Sequence, residues 1–245
     1  MQSVAILPGY ERLPGAFPVV FAPQERDAAE LLRSVLETGA AQLSDLLDTQ
    51  PPELEALLVP DEDWGRAPRE SERAYPPGLP YFTRSVRPPA LVIPETLSPA
   101  IRPRTELTLP LTTWHELAHA FLLQREVIRS PAWLREFVPQ AAAAALARRL
   151  GLPLRHHLAR IDREPGFSVR SFDGPADAGA QMSFQNLLLL LGAAALEDFG
   201  EGFLKDLVHA LREERNVVDE QRAGELLADA LGPDGREWLS ARLEY

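Results

Sequence analysis

Apolar residues change their spacing near residue 110, and this change divides the chain into two regions. Before it, short apolar runs are separated by loops that are rich in proline, whereas long segments rich in alanine and leucine follow it. Short runs are typical of strands, and apolar residues that recur every three or four positions are typical of helices. The pattern therefore predicts an α+β fold in which strands and helices come first and a helical region follows.

Four strands and one long helix are predicted in the first region. The strands cover 17–21, 54–59, 81–86 and 90–93, and a helix with one apolar face covers 24–47. Pro88 and Pro89 precede the last of these strands, and Pro94 follows it. Because proline donates no hydrogen bond to a sheet, we expect this strand to lie at a sheet edge.

Six helices are predicted in the second region, over 111–129, 131–150, 181–199, 201–215, 220–231 and 235–243. Thr112 or Thr113 is a suitable N-cap for the first of them, and Ser130 is a suitable N-cap for the second. Pro139 lies inside the second helix, where we expect it to disturb the backbone. The change of pattern predicts two subdomains, 1–129 and 130–245.

Charge and composition limit the classes of partner and of metal ligand. The 245 residues include 25 basic and 36 acidic side chains, which gives a net charge of −11. A surface of this sign argues against binding to nucleic acid or to an anionic membrane. The sequence contains no cysteine, so histidine, aspartate and glutamate must supply the ligands of any metal ion.

No targeting segment or membrane span is expected from the sequence. The first seven residues lack a basic start and a long apolar run, unlike a signal peptide. The longest apolar stretch, 187–196, is much shorter than the ~20 residues that cross a bilayer, and it predicts a buried helix. We therefore expect a cytoplasmic protein.

The strongest candidates for functional residues lie in the segment Trp114-His115-Glu116-Leu117-Ala118-His119, which contains the motif H-E-x-x-H. On a helix, His115 and His119 lie one turn apart on the same face and can bind one metal ion. Glu116 lies on the adjoining flank, where it can reach a water bound to that ion. Zinc suits such a site because it accepts nitrogen and oxygen ligands.

Zinc needs a third protein ligand, and Glu136 is the candidate. It belongs to the segment Pro131-Ala132-Trp133-Leu134-Arg135-Glu136, and sixteen residues separate it from His119. A short turn near Arg129 and Ser130 would reverse the chain and bring this second helix against the first. Glu136 would then offer a carboxylate oxygen to the metal.

H-E-L-A-H followed by P-A-W-L-R-E resembles the gluzincin metallopeptidases, and most closely the peptidase MA-like or minigluzincin group. The resemblance implies a zincin-like fold with a small mixed sheet and a helical C-terminal subdomain. It implies that His115, His119 and Glu136 bind Zn²⁺ and that Glu116 is the general base for peptide hydrolysis. It also implies that the edge strand, which we expect at 90–93, pairs with an extended peptide substrate.

Departures from the family pattern favour a second hypothesis, a catalytically inactive zincin-fold protein that serves as a binding or scaffold protein. Phe137-Val138-Pro139 follows the ligand glutamate where the family has Gly-x-Ala, and the tail contains no tyrosine before Tyr245. The family often uses a tyrosine or histidine of the tail to stabilise the oxyanion that forms during hydrolysis. The candidates for that role in this sequence are His156, His157 and Arg170.

Regulatory metallopeptidases of the ImmA/IrrE kind also contain H-E-x-x-H and provide a third hypothesis. The P-A-W-L-x-E segment and the lack of a DNA-binding module speak against it.

Overall fold

A mixed five-stranded sheet and eight α-helices make up the part of the chain that the computed structural model describes. The described residues are 7–70, 78–97, 107–123, 130–161, 168–171 and 178–243. The predicted α+β class is confirmed. The chain divides into two units, one formed by Met1–Gln42 with Gln50–Phe121 and the other by Leu43–Thr49 with Leu122–Tyr245.

The sheet belongs to the first unit. Its strands are β1 (Glu11–Leu13), β2 (Val19–Phe21), β3 (Glu55–Val59), β4 (Tyr81–Thr83) and β5 (Ala90–Pro94). They lie in the order β1-β2-β3-β5-β4, in which the three middle strands are parallel and the two outer ones antiparallel to their neighbours. The middle strands are buried along their whole length, which explains why they appear in the sequence as continuous apolar runs.

The prediction that 90–93 is an edge strand is wrong. Strand β5 pairs with β3 on one side and with β4 on the other, so neither of its edges is open to a peptide. The prolines do not prevent this, because Pro88 and Pro89 precede the strand and Pro94 is its last residue. The outermost strands among the described residues are β4 and β1, and β1 was not predicted because its three residues form no apolar run.

Two helices begin in the first unit, α1 (Arg26–Leu47) and α2 (Thr108–Leu123). Helix α2 begins three residues earlier than predicted. Pro110 lies in its first turn, where the missing backbone N–H of proline costs little, so the helix can begin before this proline. Thr112 and Thr113 therefore lie inside the helix, and the prediction that either is its N-cap is wrong. The predicted end of this helix at Arg129 lies outside the described residues.

The second unit contains the helices α3 (Ala132–Arg149), α4 (Leu154–Leu158), α5 (Ala178–Phe199), α6 (Gly202–Glu213), α7 (Glu220–Leu231) and α8 (Gly235–Leu243). All but the short α4 were predicted, and the bounds of α7 and α8 agree with the prediction. Asp219 begins α7 as a true N-cap, because its side chain accepts a hydrogen bond from the backbone N–H of Arg222 at 2.8 Å. Gly232 ends α7 with a φ of +93°.

Helices α3 and α5 form the closely packed pair of this unit. Helix α3 continues through Pro139, and the residues that follow it, from Ala141 to Ala147, are all buried. Gly192 of α5 faces this surface, where a Cβ atom would lie 2.8 Å from the Cα atom of Ala141. Small residues on both helices thus bring the two backbones close together.

Helix α5 meets the length and composition criteria for a membrane span over Gly179–Phe199. A third of its most apolar window, 33%, is buried inside the protein. Core helices of soluble proteins meet the same criteria, so the helix is weak support for a membrane location. The cytoplasmic location stays a prediction.

Candidate metal centre

His115 and His119 lie one turn apart on α2, as their spacing predicts. Their Nε2 atoms are 3.2 Å apart, and their rings meet edge to face with centroids 4.7 Å apart and planes at 83°. His115 is buried, and His119 is partly exposed. The helix therefore directs two imidazole nitrogens toward one point near its surface.

The separation of these nitrogens fits two ligands of one ion. Zinc binds imidazole nitrogen at about 2.0–2.1 Å, and two such ligands at a tetrahedral angle lie roughly 3.3 Å apart. The observed 3.2 Å agrees with that value. The same distance lets one ring donate an N–H to the other when neither binds a metal.

Glu136, on the first turns of α3, is the third member of the group. One ligand atom from each of His115, His119 and Glu136 lies within 4.8 Å of the other two. Two imidazole nitrogens and one carboxylate oxygen are a ligand set that can hold a metal ion. The sequence predicted these three residues as zinc ligands; the structure shows a group that can hold a metal ion, and the identity of the metal stays a prediction.

Glu116 is buried beside His115. Its Oε1 atom lies 3.9 Å from Nε2 of His115, which is too far for a hydrogen bond but close enough for both atoms to contact one small ligand. Only 12% of its side chain is exposed, so bulk water screens this carboxylate weakly. The position agrees with the flank on which the motif predicts it.

Contacts of Trp114 with α1 hold the motif helix in the first unit. The indole Nε1 donates a hydrogen bond of 2.9 Å to the carbonyl oxygen of Val35. The ring also lies directly over Gly39, where a Cβ atom would be 2.3 Å from its Cδ1. The glycine in α1 therefore makes room for the residue that precedes His115.

Two glutamines accompany Glu136 in the second unit, and the sequence analysis did not identify them. Gln185 of α5 donates from Nε2 to Oε2 of Glu136 at 2.9 Å, and Gln140 donates from Nε2 to Oε1 of Gln185 at 2.5 Å. Gln185 lies 49 residues beyond the glutamate, and no local spacing connects the two. Only the packing of α3 on α5 reveals this contact.

The residues around Glu136 on α3 anchor the helix in the core. Trp133 and Leu134 are buried, and the Trp133 indole donates to Oε2 of Glu220 at 2.7 Å. Phe137 is fully buried and packs against Phe203 with ring centroids 6.2 Å apart. Its bulk is therefore directed into the core, and the helix that carries Glu136 is well supported.

The three candidates for oxyanion stabilisation lie in the second unit on short helices. His156 is exposed on α4, and the neighbouring His157 is partly buried. Burial, with a smaller contribution from the charge of Arg160, lowers the pKa of His157. Arg170 is exposed on a single 3₁₀ turn, Val169–Ser171. No described contact connects any of them with Glu136.

No protein-family model and no curated protein matches this chain.

Proposed function

We propose that this protein is a zinc-dependent metallopeptidase with a zincin-like fold, similar to the gluzincins. The observation that carries the proposal is the group formed by His115, His119 and Glu136, in which the two imidazole nitrogens have the spacing of neighbouring zinc ligands. The buried carboxylate of Glu116 beside this group supports a catalytic role for the site. A ligand set without sulfur also suits a catalytic zinc ion.

Each residue of the site has a distinct role in this proposal. A zinc ion held by the three ligands would lower the pKa of a bound water and polarise the carbonyl of a peptide. Glu116 takes the proton from the attacking water and delivers it to the leaving amine. Its Oε1 atom lies 3.9 Å from Nε2 of His115, close to where that water would be held.

The experiment that tests this function compares zinc-loaded protein with its Glu116→Gln variant on a mixed peptide library, with mass spectrometry of the products. We expect cleavage by the wild type, no cleavage by the variant, and equal zinc content in both. Glu237→Gln is the matched control, because Glu237 is an exposed glutamate on α8. Cleavage that persists in Glu116→Gln would remove this residue from the mechanism.

One observation favours the second candidate function, a zincin-fold binding protein without catalysis. Tyr245 is the only tyrosine after residue 81, so the tail offers no other tyrosine to stabilise a developing oxyanion. Loss of one such donor lowers the rate of well-studied hydrolases by about 10²–10³-fold. A wild-type protein that binds zinc at this site but cleaves no peptide would favour the binding protein over the enzyme.

A further inference from the structure

The carboxylate of Glu136 is the first member of a short chain of hydrogen bonds between α3 and α5. Gln185 Nε2 donates to Oε2 of Glu136 at 2.9 Å, and Gln140 Nε2 donates to Oε1 of Gln185 at 2.5 Å. All three side chains are partly buried, which strengthens the bonds relative to bonds in open water.

The chemistry of the three groups fixes the direction of these bonds. An ionised carboxylate can only accept hydrogen bonds, so Gln185 must present its amino group to Glu136. The carbonyl oxygen of the same amide then faces the other way and can only accept, so Gln140 must donate to it. Gln140 thereby prevents the Gln185 amide from turning its oxygen toward the carboxylate.

The packing of α3 on α5 positions the backbone on both sides of these hydrogen bonds. Glu136 and Gln140 are four residues apart and therefore lie on the same face of α3. Two turns beyond Gln185, Gly192 brings α5 into direct contact with the backbone of Ala141. This contact sets how closely the two helices approach at this point, and the spacing of the helices in turn sets the distance from Gln185 to Glu136.

From this geometry we propose that Gln185 is a positioning residue for the metal ligand Glu136, and that Gln140 holds the Gln185 amide in its donating orientation. The inference rests on the proposed metal site. Partners of this kind fix the orientation of ligating side chains, and their loss typically weakens metal binding about 10- to 100-fold. Gln185 touches no reacting atom in this proposal and acts through Glu136.

The test measures the zinc dissociation constant by competition with a chelating dye, and the visible spectrum of the Co²⁺-loaded protein. Gln185→Met keeps the size of the side chain but removes the donor, and we expect a dissociation constant about 10- to 100-fold higher and an altered Co²⁺ spectrum. Asn186→Leu, which removes a partly buried amide one residue along α5, is the control and should change neither. An unchanged dissociation constant in a folded Gln185→Met variant would overturn the proposal.

Two further variants keep the test decisive if Gln185→Met unfolds. Gln185→Asn retains an amide that is one methylene too short to reach Glu136, and we expect a similar loss of zinc affinity. Gln140→Met retains the donor to Glu136, and we expect a smaller loss. A larger loss for Gln140→Met than for the Gln185 variants would contradict the proposal that Gln185 acts on Glu136 directly and Gln140 acts through Gln185.

A double-mutant comparison separates this inference from the proposed function. In a Glu136→Ala background, Gln185→Met should not weaken zinc binding further, because the group that it positions is gone. Equal losses with and without Glu136 would overturn the positioning role and leave the metal site intact. A wild-type protein that binds no zinc would instead refute the metal site itself.

Discussion

Gly39 shows how one residue far from the motif supports the candidate metal centre. Its missing side chain lets the indole of Trp114 rest on α1 and reach the carbonyl of Val35. Trp114 precedes His115 directly, so a displaced indole would move the backbone of this candidate metal ligand.

We expect Gly39→Ala to lower the free energy of unfolding by about 1–3 kcal/mol, because the new methyl group would overlap the indole. Gly224→Ala is the matched control, since Gly224 also lies inside a helix but has no atom within 4 Å of the Cβ position. The control should stabilise the protein by about 0.5–1 kcal/mol. Urea unfolding of both variants tests this, and an equal gain in stability would contradict the packing of Trp114 on Gly39.

Glu95 is a second residue whose surroundings determine a measurable property, the pKa of its carboxyl group. Burial first, and then the nearby carboxylates of Glu25, Glu62 and Asp61, raise its pKa to about 7. All four follow the C-terminal ends of the parallel strands β2, β3 and β5, so the sheet itself brings these acidic groups together.

The raised pKa of Glu95 predicts a pH dependence of stability. The unfolded chain releases this proton near pH 4.5, whereas the native state keeps it until about pH 7. Stability is therefore lost as the pH rises through this window. Glu95→Gln should remove that loss and be more stable than the wild type at pH 8 but not at pH 4. Urea unfolding across pH tests this, with the exposed Glu53→Gln as control; parallel curves for wild type and Glu95→Gln would contradict it.

At the scale of elements, the pair of α3 and α5 matters most to the site, because α3 carries Glu136 and α5 carries Gln185. Gly192 is a point of close approach, where the neighbouring atoms are the backbone and Cβ of Ala141. Backbone atoms cannot move aside as the end of a flexible side chain can.

Gly192→Ala should therefore separate the two helices and lower the free energy of unfolding by about 1–3 kcal/mol. Because the separation lengthens the distance from Gln185 to Glu136, zinc affinity should fall as well. Chemical denaturation and a zinc titration of the same sample measure both effects. A variant as stable and as tightly zinc-binding as the wild type would show that this contact does not set the helix spacing.

Helices were predicted better than strands, for a physical reason. The amphipathic period, Asp219 and Gly232 all lie within or beside α7, so local sequence was enough to define its bounds. The position of β5 in the sheet depends on which strands pair, and apolar spacing does not contain that information. The prolines around 90–93 therefore led to the wrong edge assignment.

At the scale of the whole molecule, some residues of the candidate site could be predicted from the sequence and others could not. His115, Glu116 and His119 follow from helical spacing within six residues, and Glu136 follows from a downstream segment that resembles a known ligand helix. Gln185 depends on how α3 packs against α5, which the sequence alone did not reveal. The candidate ligands were predictable from local sequence, whereas the contact that supports Glu136 was not.

The most direct test of the metal site is the zinc content of the purified protein and of its His119→Ala and Glu136→Ala variants, measured by mass spectrometry after extensive dialysis. We predict one zinc ion per wild-type chain and a large loss in both variants, because each removes one of the three proposed ligands. His209→Ala, which removes an exposed histidine of α6, should retain the full zinc content. Zinc content that is unaffected by His119→Ala and Glu136→Ala would contradict the metal site.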